Sequence, residues 1–306
     1  MMNPNDALSQ DLSREIDSQA VNETWAPFGV DIGAASHQGH VRESNEDSYL
    51  VIRFGRSLEN RLTNLKEQLL EKNYSITGYG MLVADGMGGL AAGEVASSLA
   101  LLKLEELIID TSDWILSLNR HRDIRTVLQR MTERFFRIDE ILRKEAEANS
   151  RLRGMGTTLT VAGTLGRNLV IGHVGDSRAY LLRGAILKQL TTDHTLAQAL
   201  IDAGVANHND PATRSMRHVL TAAIGSLGER NEPQVKRFEL NNGDQVLLCT
   251  DGLTEMVEDK TITNVLLEAM SAQTACENLV DLALAAGGTD NITVIVARFG
   301  RTSQVN

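Results

Sequence analysis

Four aspartates sit where apolar runs end or begin. Asp85 directly follows MLVA, Asp251 directly follows VLLCT, Asp176 follows VIGHVG, and Asp290 lies two residues before ITVIV. If the strands containing 246–250 and 292–297 pair antiparallel, the end of one lies beside the start of the other. Asp251 and Asp290 then meet at one sheet edge, where Asp85 and Asp176 can converge. Asn45-Glu46-Asp47 adds two more carboxylates. Asp85 precedes Gly86, Asp251 precedes Gly252, and Asp176 lies between Gly175 and Ser177. Glycine lets backbone approach a bound ion closely. One Asp-Gly alone is an ordinary turn signal; the repetition at strand ends is the informative feature.

Carboxylates brought together repel, so they take up protons or recruit cations. An oxygen donor set selects hard ions, Mg²⁺ or Mn²⁺. His37, His40, His121, His173, His194, His208 and His218 show no HxxxH or HExxH spacing, which disfavours zinc. Cys249 and Cys276 make no disulfide framework, and Cys249 reads as a small core residue.

The elements that must position these groups come in blocks. Strand-like runs at 28–36 and 48–54 flank a polar connector, and GMLVA (80–84) stops at DGMGG. Helical patterns follow at about 91–109 and 122–148. The first places Val95, Leu99, Leu102 and Leu107 near one face; the second places Ile124, Leu128, Met131, Phe135, Ile138 and Leu142 on one stripe. A meander follows: TTLTVAGTL, NLVIGHV, AYLLRG and AILKQL. After a weakly periodic stretch at 193–222 come VKRFEL, DQVLLCT and ITVIVARF, with a helix around 272–285. Blocks of strands joined by short turns predict an α+β fold of mostly antiparallel sheets with helices on their faces. No repeat, low-complexity tract or linker divides the chain. The reading is one domain over 28–300, a polar N-terminal tail over 1–27 and a short tail at 301–306.

With 306 residues, 42% hydrophobic and 23% charged, the chain is globular in composition. Net charge −10 without a basic run argues against nucleic acid or acidic lipid as a partner. No apolar stretch reaches membrane-spanning length, and the polar, acidic N-terminus lacks a secretory pattern. A cytoplasmic, monomeric protein is expected.

The same residues carry a resemblance. VRESNEDS (41–48), LVADGMGG (82–89), GMGTTLT (154–160), GHVGDSRAYLLR (172–183), DHTLAQALIDAG (193–204), LLCTDGLTEMV (247–257) and GGTDNITVIV (287–296) occur in the order of the metal-dependent serine/threonine protein phosphatases, the PPM or type 2C family in its bacterial form. The resemblance covers roughly 28–300. It implies a four-layer α-β-β-α sandwich with two Mn²⁺ or Mg²⁺ ions in a channel at one edge. Asp85, Asp251 and Asp290 would hold one ion. Asp85 would bridge to a second, bound by the Gly86 carbonyl and by Glu46, with Asp47 supporting that shell. Asp176 with Asp251 matches a third-ion site, and Arg42 matches the arginine that holds the substrate phosphate, as suits a guanidinium fork. The implied activity is hydrolysis of phosphoserine and phosphothreonine in proteins by a metal-bridging hydroxide, opposing a bacterial Ser/Thr kinase.

Two features depart from the family pattern. Some members carry a histidine after the Asp-Gly, able to protonate the leaving alkoxide; here Met87 stands there, as it commonly does in bacterial members. The stretch 55–79 reads as a long insertion. Residues 193–222 match the family's flap, where Arg214, Arg217 and His218 can meet a phosphopeptide or simply be solvated. His173 reads as a core histidine. The alternative function is a catalytically weak or dead relative that binds phosphoproteins. Loss of metal ligands would favour it, yet Asp85, Asp251 and Asp290 are all present.

Overall fold

Alternation with a period of two builds the centre of the molecule. In the run 245–249, Val246 and Leu248 point to one side and Leu247 and Cys249 to the other; in 292–301, Ile295, Ala297 and Phe299 oppose Val294 and Val296. Strands apolar on both faces must be covered on both. The computed structural model describes residues 28–58, 74–88, 92–110, 124–207, 210, 213, 215–226 and 232–301. The expected tail over 1–27, residues 59–73 of the 55–79 insertion, Arg214 and the residues beyond 301 lie outside them.

Two antiparallel sheets form. One runs β1 (Phe28–His37), β11 (Ile292–Arg301), β10 (Gln245–Cys249), β7 (Arg178–Arg183) and β8 (Ile186–Gln189). The other runs β2 (Asp47–Leu58), β3 (Tyr74–Met87), β5 (Leu159–Leu165), β6 (Asn168–Val174) and β9 (Gln234–Glu239), with β4 (Gly156–Thr157) paired to the end of β3. Met81, Val83, Ala162 and Ile171 of the second sheet meet Leu181, Val246, Leu248 and Ile295 of the first in a buried apolar interlayer. Helices α1 (Ala92–Asp110) and α2 (Ile124–Ala148) cover the outer face of the second sheet, and α5 (Asp259–Glu268) and α6 (Ala272–Ala285) that of the first. Two short helices, α3 (Leu196–Asp202) and α4 (Asp251–Thr254), lie in the flap and directly after β10. This is the expected four-layer α-β-β-α sandwich.

Several local expectations need correction. α1 buries Ala92, Gly93, Ala96, Ser97, Ala100, Leu101 and Leu104, whereas Val95 and Leu102 are 39% and 55% exposed. Leu99 and Leu107 pack partly buried against the core, as expected, but small residues let the helix sit close to the sheet and leave Val95 and Leu102 outside its inner face. β3 does not stop before Asp85. It continues to Met87 because Gly86 and Met87 pair with Thr157 and Gly156 of β4. Residues 55–58 and 74–79 of the expected insertion are the paired ends of β2 and β3. The α2 stripe is as expected for Met131, Phe135, Ile138 and Leu142.

Phe135 is 1% exposed and its ring lies against Gly172 of β6. Phe135→Ala should cost about 3–5 kcal/mol, measured by urea unfolding. A loss below about 1 kcal/mol would contradict this packing.

Candidate active site

The site assembles where strand ends of the two sheets meet. Asp47 opens β2 and stands in register with Asp85 of β3. Asp251 follows β10 and begins α4; Asp290 lies two residues before β11. Because β10 and β11 run antiparallel, with Cys249 opposite Val294, these two carboxylates share an edge, as the sequence pattern requires.

The backbone around each acid is pinned by polar side chains. Thr158 Oγ1 accepts from the Asp85 amide at 2.9 Å, and Thr157 Oγ1 donates to the Asp85 carbonyl at 2.8 Å. Thr158 Oγ1 also bonds Ser177 Oγ at 2.8 Å, one residue beyond Asp176. Asn291 Oδ1 accepts from the Glu46 amide, and Asn291 Nδ2 donates to the carbonyls of Gln38 and Ser44, each at 2.8 Å. One asparagine thus ties the Arg42–Asp47 loop to the start of β11. Thr250 Oγ1 donates to Asp47 Oδ2 at 2.8 Å. Glycines allow the close approaches. A Cβ on Gly86 would collide with the Gly93 carbonyl, and one on Gly93 would meet the Glu46 carboxylate at 2.6 Å. Glu46 therefore lies against the first turn of α1, where amides point outward.

Electrostatics show what this arrangement lacks. Burial, then the charges of Asp47, Asp251, Asp176 and Asp290, push Asp85 well above the usual carboxylate range. Burial raises Asp47 to about 7, and burial with Asp251 and Asp193 raises Asp176 to about 8. Asp251 is raised by burial and Asp290, and partly held down by nearby His218 and by a hydrogen bond with the Asp85 carboxyl. Glu46 is raised chiefly by burial. Asp47 Oδ1 and Asp251 Oδ1 are buried with no hydrogen-bond partner. Crowded, part-orphaned carboxylate oxygens are the donor set of a hard divalent cation, so the residues present fit Mg²⁺ or Mn²⁺. Arg42 brings a positive charge to this edge: its Nη2 lies 2.6 Å from Asp290 Oδ2, and its side chain is 54% exposed.

Sequence reasoning missed Glu255 and placed His218 only as a flap residue able to meet a phosphopeptide or be solvated. His218 Nδ1 pairs with Glu255 Oε1 at 2.6 Å. With Asp251 they form the one group of three His, Cys, Asp or Glu residues, among the described residues, whose ligand atoms lie within 4.8 Å of one another. Asp251 and Glu255 are four apart across α4, a helical spacing that was available in the sequence; the approach of His218 was not. Arg217 has partners of its own. His173 is buried as expected. Its Nδ1 bonds Thr160 at 2.8 Å and its ring stacks on His194 at 5.1 Å. Burial pushes His173 down to about 3, so it is neutral.

Residues 72–285 match the family described as Protein phosphatase 2C. The chain belongs to this family. Among protein phosphatase 2C relatives, the serine/threonine protein phosphatase PstP of Mycobacterium tuberculosis is 37% identical over 217 residues, 71% of this chain and 40% of that protein. The chain thus spans less than half of the mycobacterial relative. The serine/threonine phosphatase stp of Listeria innocua is 34% identical over 216 residues, covering 71% of this chain and 82% of the relative. The solved catalytic domain of PstP with two manganese ions superposes with a TM-score of 0.67 at 32% identity, over 89% of this chain and 98% of that one. Stp1 from Staphylococcus aureus gives 0.70 at 26% identity, over 89% and 96%.

The raised acids set a pH dependence for the ion-free protein. Between the ordinary aspartate value of 3.8 and about 7 for Asp47, or about 8 for Asp176, the folded chain holds protons that the unfolded chain has released. Stability then falls as pH rises through that window. Melting in EDTA should be higher at pH 5 than at pH 8, and Mn²⁺ should restore it at pH 8 by binding the folded state. A higher ion-free melting point at pH 8 would contradict the burial of these carboxylates.

Proposed function

We propose that this chain is a metal-dependent protein phosphatase acting on phosphoserine and phosphothreonine, with a single catalytic domain over 28–300, opposing a bacterial Ser/Thr kinase. The observation that carries the reading is the convergence of Asp85, Asp251, Asp176 and Asp290 on one sheet edge, with Arg42 standing over them. Relatives named as serine/threonine phosphatases over most of this chain support it.

Asp85, Asp251 and Asp290 would hold one divalent ion, and Asp85 with Glu46 and the Gly86 carbonyl a second. When bound, these ions supply positive charge for the phosphoryl oxygens and lower the pKa of water. Asp176 and Asp251 extend the site toward a third ion. Asp47 stands behind Asp85, fixed by Thr250, and completes the carboxylate shell.

Arg42 spends one hydrogen bond on Asp290 and keeps the rest of its fork for the phosphate of a substrate, the geometry in which guanidinium is strongest. Met87 follows Gly86 and has no proton to give the leaving alkoxide. A side-chain nucleophile is not required. Cys249 and Cys276 are buried with thiols pushed up to about 12, which removes the cysteine route. The flap's far end is tied to the site: Ile224 and Thr157 exchange backbone hydrogen bonds of 2.9 Å each. No helix among the described residues is long and apolar enough to cross a membrane.

Hydrolysis of a phosphothreonine peptide should require Mn²⁺ or Mg²⁺ and vanish with EDTA. Asp251→Asn should lower kcat at least about 100-fold while retaining the fold by circular dichroism. Arg42→Ala should lower kcat/KM by about 10- to 100-fold, as loss of a phosphate contact implies. Turnover in EDTA, or an active Asp251→Asn variant, would overturn the assignment.

A further inference from the structure

The flap stands over the acidic edge, since His218 reaches Glu255 beside Asp251. It is a loop closed at its neck, where Thr195 pairs with Leu220 and the Thr221 amide donates to the His194 carbonyl at 2.8 Å. Its two feet stand on different elements. The first is bonded to the turn that carries Asp176, through His194 and Gly175. The second ends at Gly225, and the side chain that holds it is Asp139 of α2. Asp139 lies on the apolar stripe of α2, among Phe135, Ile138 and Leu142, and is 4% exposed. A carboxylate there costs stability unless its oxygens find partners. Both do: Oδ1 accepts from the Gly225 amide and Oδ2 from Arg143 Nε, each at 2.8 Å. Gly225 has φ +80, and a Cβ on it would sit 2.8 Å from Leu142 Cβ. One residue earlier, Ile224 exchanges both backbone bonds with Thr157.

We propose that Asp139 is a positioning residue for phosphoprotein binding, whose carboxylate fixes the far foot of the flap through the Gly225 amide. The proposal rests on the phosphatase reading for what the flap meets, not for where the flap is held. A buried carboxylate accepting from a backbone amide is the strong kind of hydrogen bond. Arg143 keeps that carboxylate turned toward Gly225. Loss of the acceptor leaves the Gly225 amide buried without a partner, and the foot shifts to hydrate it. β4 stays paired to β3 through Gly86 and Thr157, so Asp85 keeps its place. The consequence is selective. A phosphopeptide, which must contact the flap, binds less well. A small aryl phosphate, which reaches only Arg42 and the acidic cluster, is hydrolysed as before.

The test compares full-length wild type, Asp139→Ala and Asp139→Asn on a phosphothreonine peptide and on p-nitrophenyl phosphate, all with Mn²⁺, and reads amide exchange by NMR. Asp139→Ala should raise KM for the peptide about tenfold or more, as loss of a charged acceptor implies, with kcat on either substrate within about twofold of wild type. Its Gly225 amide should exchange at least about tenfold faster, while the amides of β3 and β5 keep their rates. Asp139→Asn keeps an oxygen for Gly225 and should return both readouts to within about threefold of wild type, its amide nitrogen turning Arg143 toward solvent. An unchanged peptide KM in Asp139→Ala would overturn the proposal, as would a raised KM without faster Gly225 exchange. An equal loss on both substrates, with exchange raised throughout the core, marks a merely structural role and overturns it too. An Asn variant as impaired as the Ala variant rejects the acceptor role. Should Asp139→Ala unfold, Asp139→Val fills similar space without an acceptor and carries the comparison. In the unaltered protein, a Gly225 amide exchanging at the rate of an open chain rejects the proposal by itself. Wild type that hydrolyses neither substrate sinks the phosphatase reading; wild type active on both, with a peptide KM indifferent to Asp139→Ala, sinks this proposal alone.

Discussion

Like charges forced together out of water govern this molecule. Asp47, Asp85, Asp176 and Asp251 are each pushed above their ordinary range by burial and by one another. Such a cluster destabilises the fold until protons or cations offset it. The compensation available within the chain is limited. Arg42 reaches Asp290, Thr250 reaches Asp47, and backbone bonds hold Asp85 in place without neutralising it. Everything built around the cluster either rigidifies it or leaves its charge for a ligand to neutralise.

Rigidity comes from tying the acids to structure that does not move easily. Thr157 and Thr158 hold both backbone faces of Asp85, and Thr158 also bonds Ser177 beside Asp176. Gly175 adopts φ +115 with Thr158 directly against it, a conformation and a closeness that a side chain would not permit. His194 accepts from the Gly175 amide through Nδ1 at 3.1 Å and donates its own amide to the Gly175 carbonyl at 2.7 Å. The base of the flap is thus bonded to the turn that carries Asp176. Strand ends, not loops alone, carry the site, which limits how far the carboxylates can relax apart.

Much of this was legible along the chain, for identifiable reasons. The continuous apolar runs in 245–249 and 292–299 follow from burial on both sheet faces, and those strands form where the runs put them. The stripe through Met131, Phe135, Ile138 and Leu142 is a helix face, and it packs as one. The inner face of α1 was misread in part: Leu99 and Leu107 pack against the core, but alanine, glycine and serine share that face with Leu101 and Leu104 where the helix approaches the sheet closely, and Val95 and Leu102 turn outward. The end of β3 was misread because its last residues pair with the two-residue strand β4, a long-range contact without local signature. Helix α5 carries too short a pattern to stand out, and it is held by burying Ile262 and Leu266 against the first sheet.

The order and residue types of the acidic motifs determined the chemistry: hard-cation ligands at strand ends, an arginine nearby, no thiol nucleophile. These are local properties, since they depend on which side chain follows which apolar run. Tertiary structure decided the partnerships. That Arg42 pairs with Asp290, that Asn291 staples the 42–47 loop, and that His218 arrives beside Asp251 and Glu255 depend on contacts across 248, 245 and more than thirty residues of chain. No spacing rule encodes such contacts, because they are set by how two sheets pack and where the flap closes.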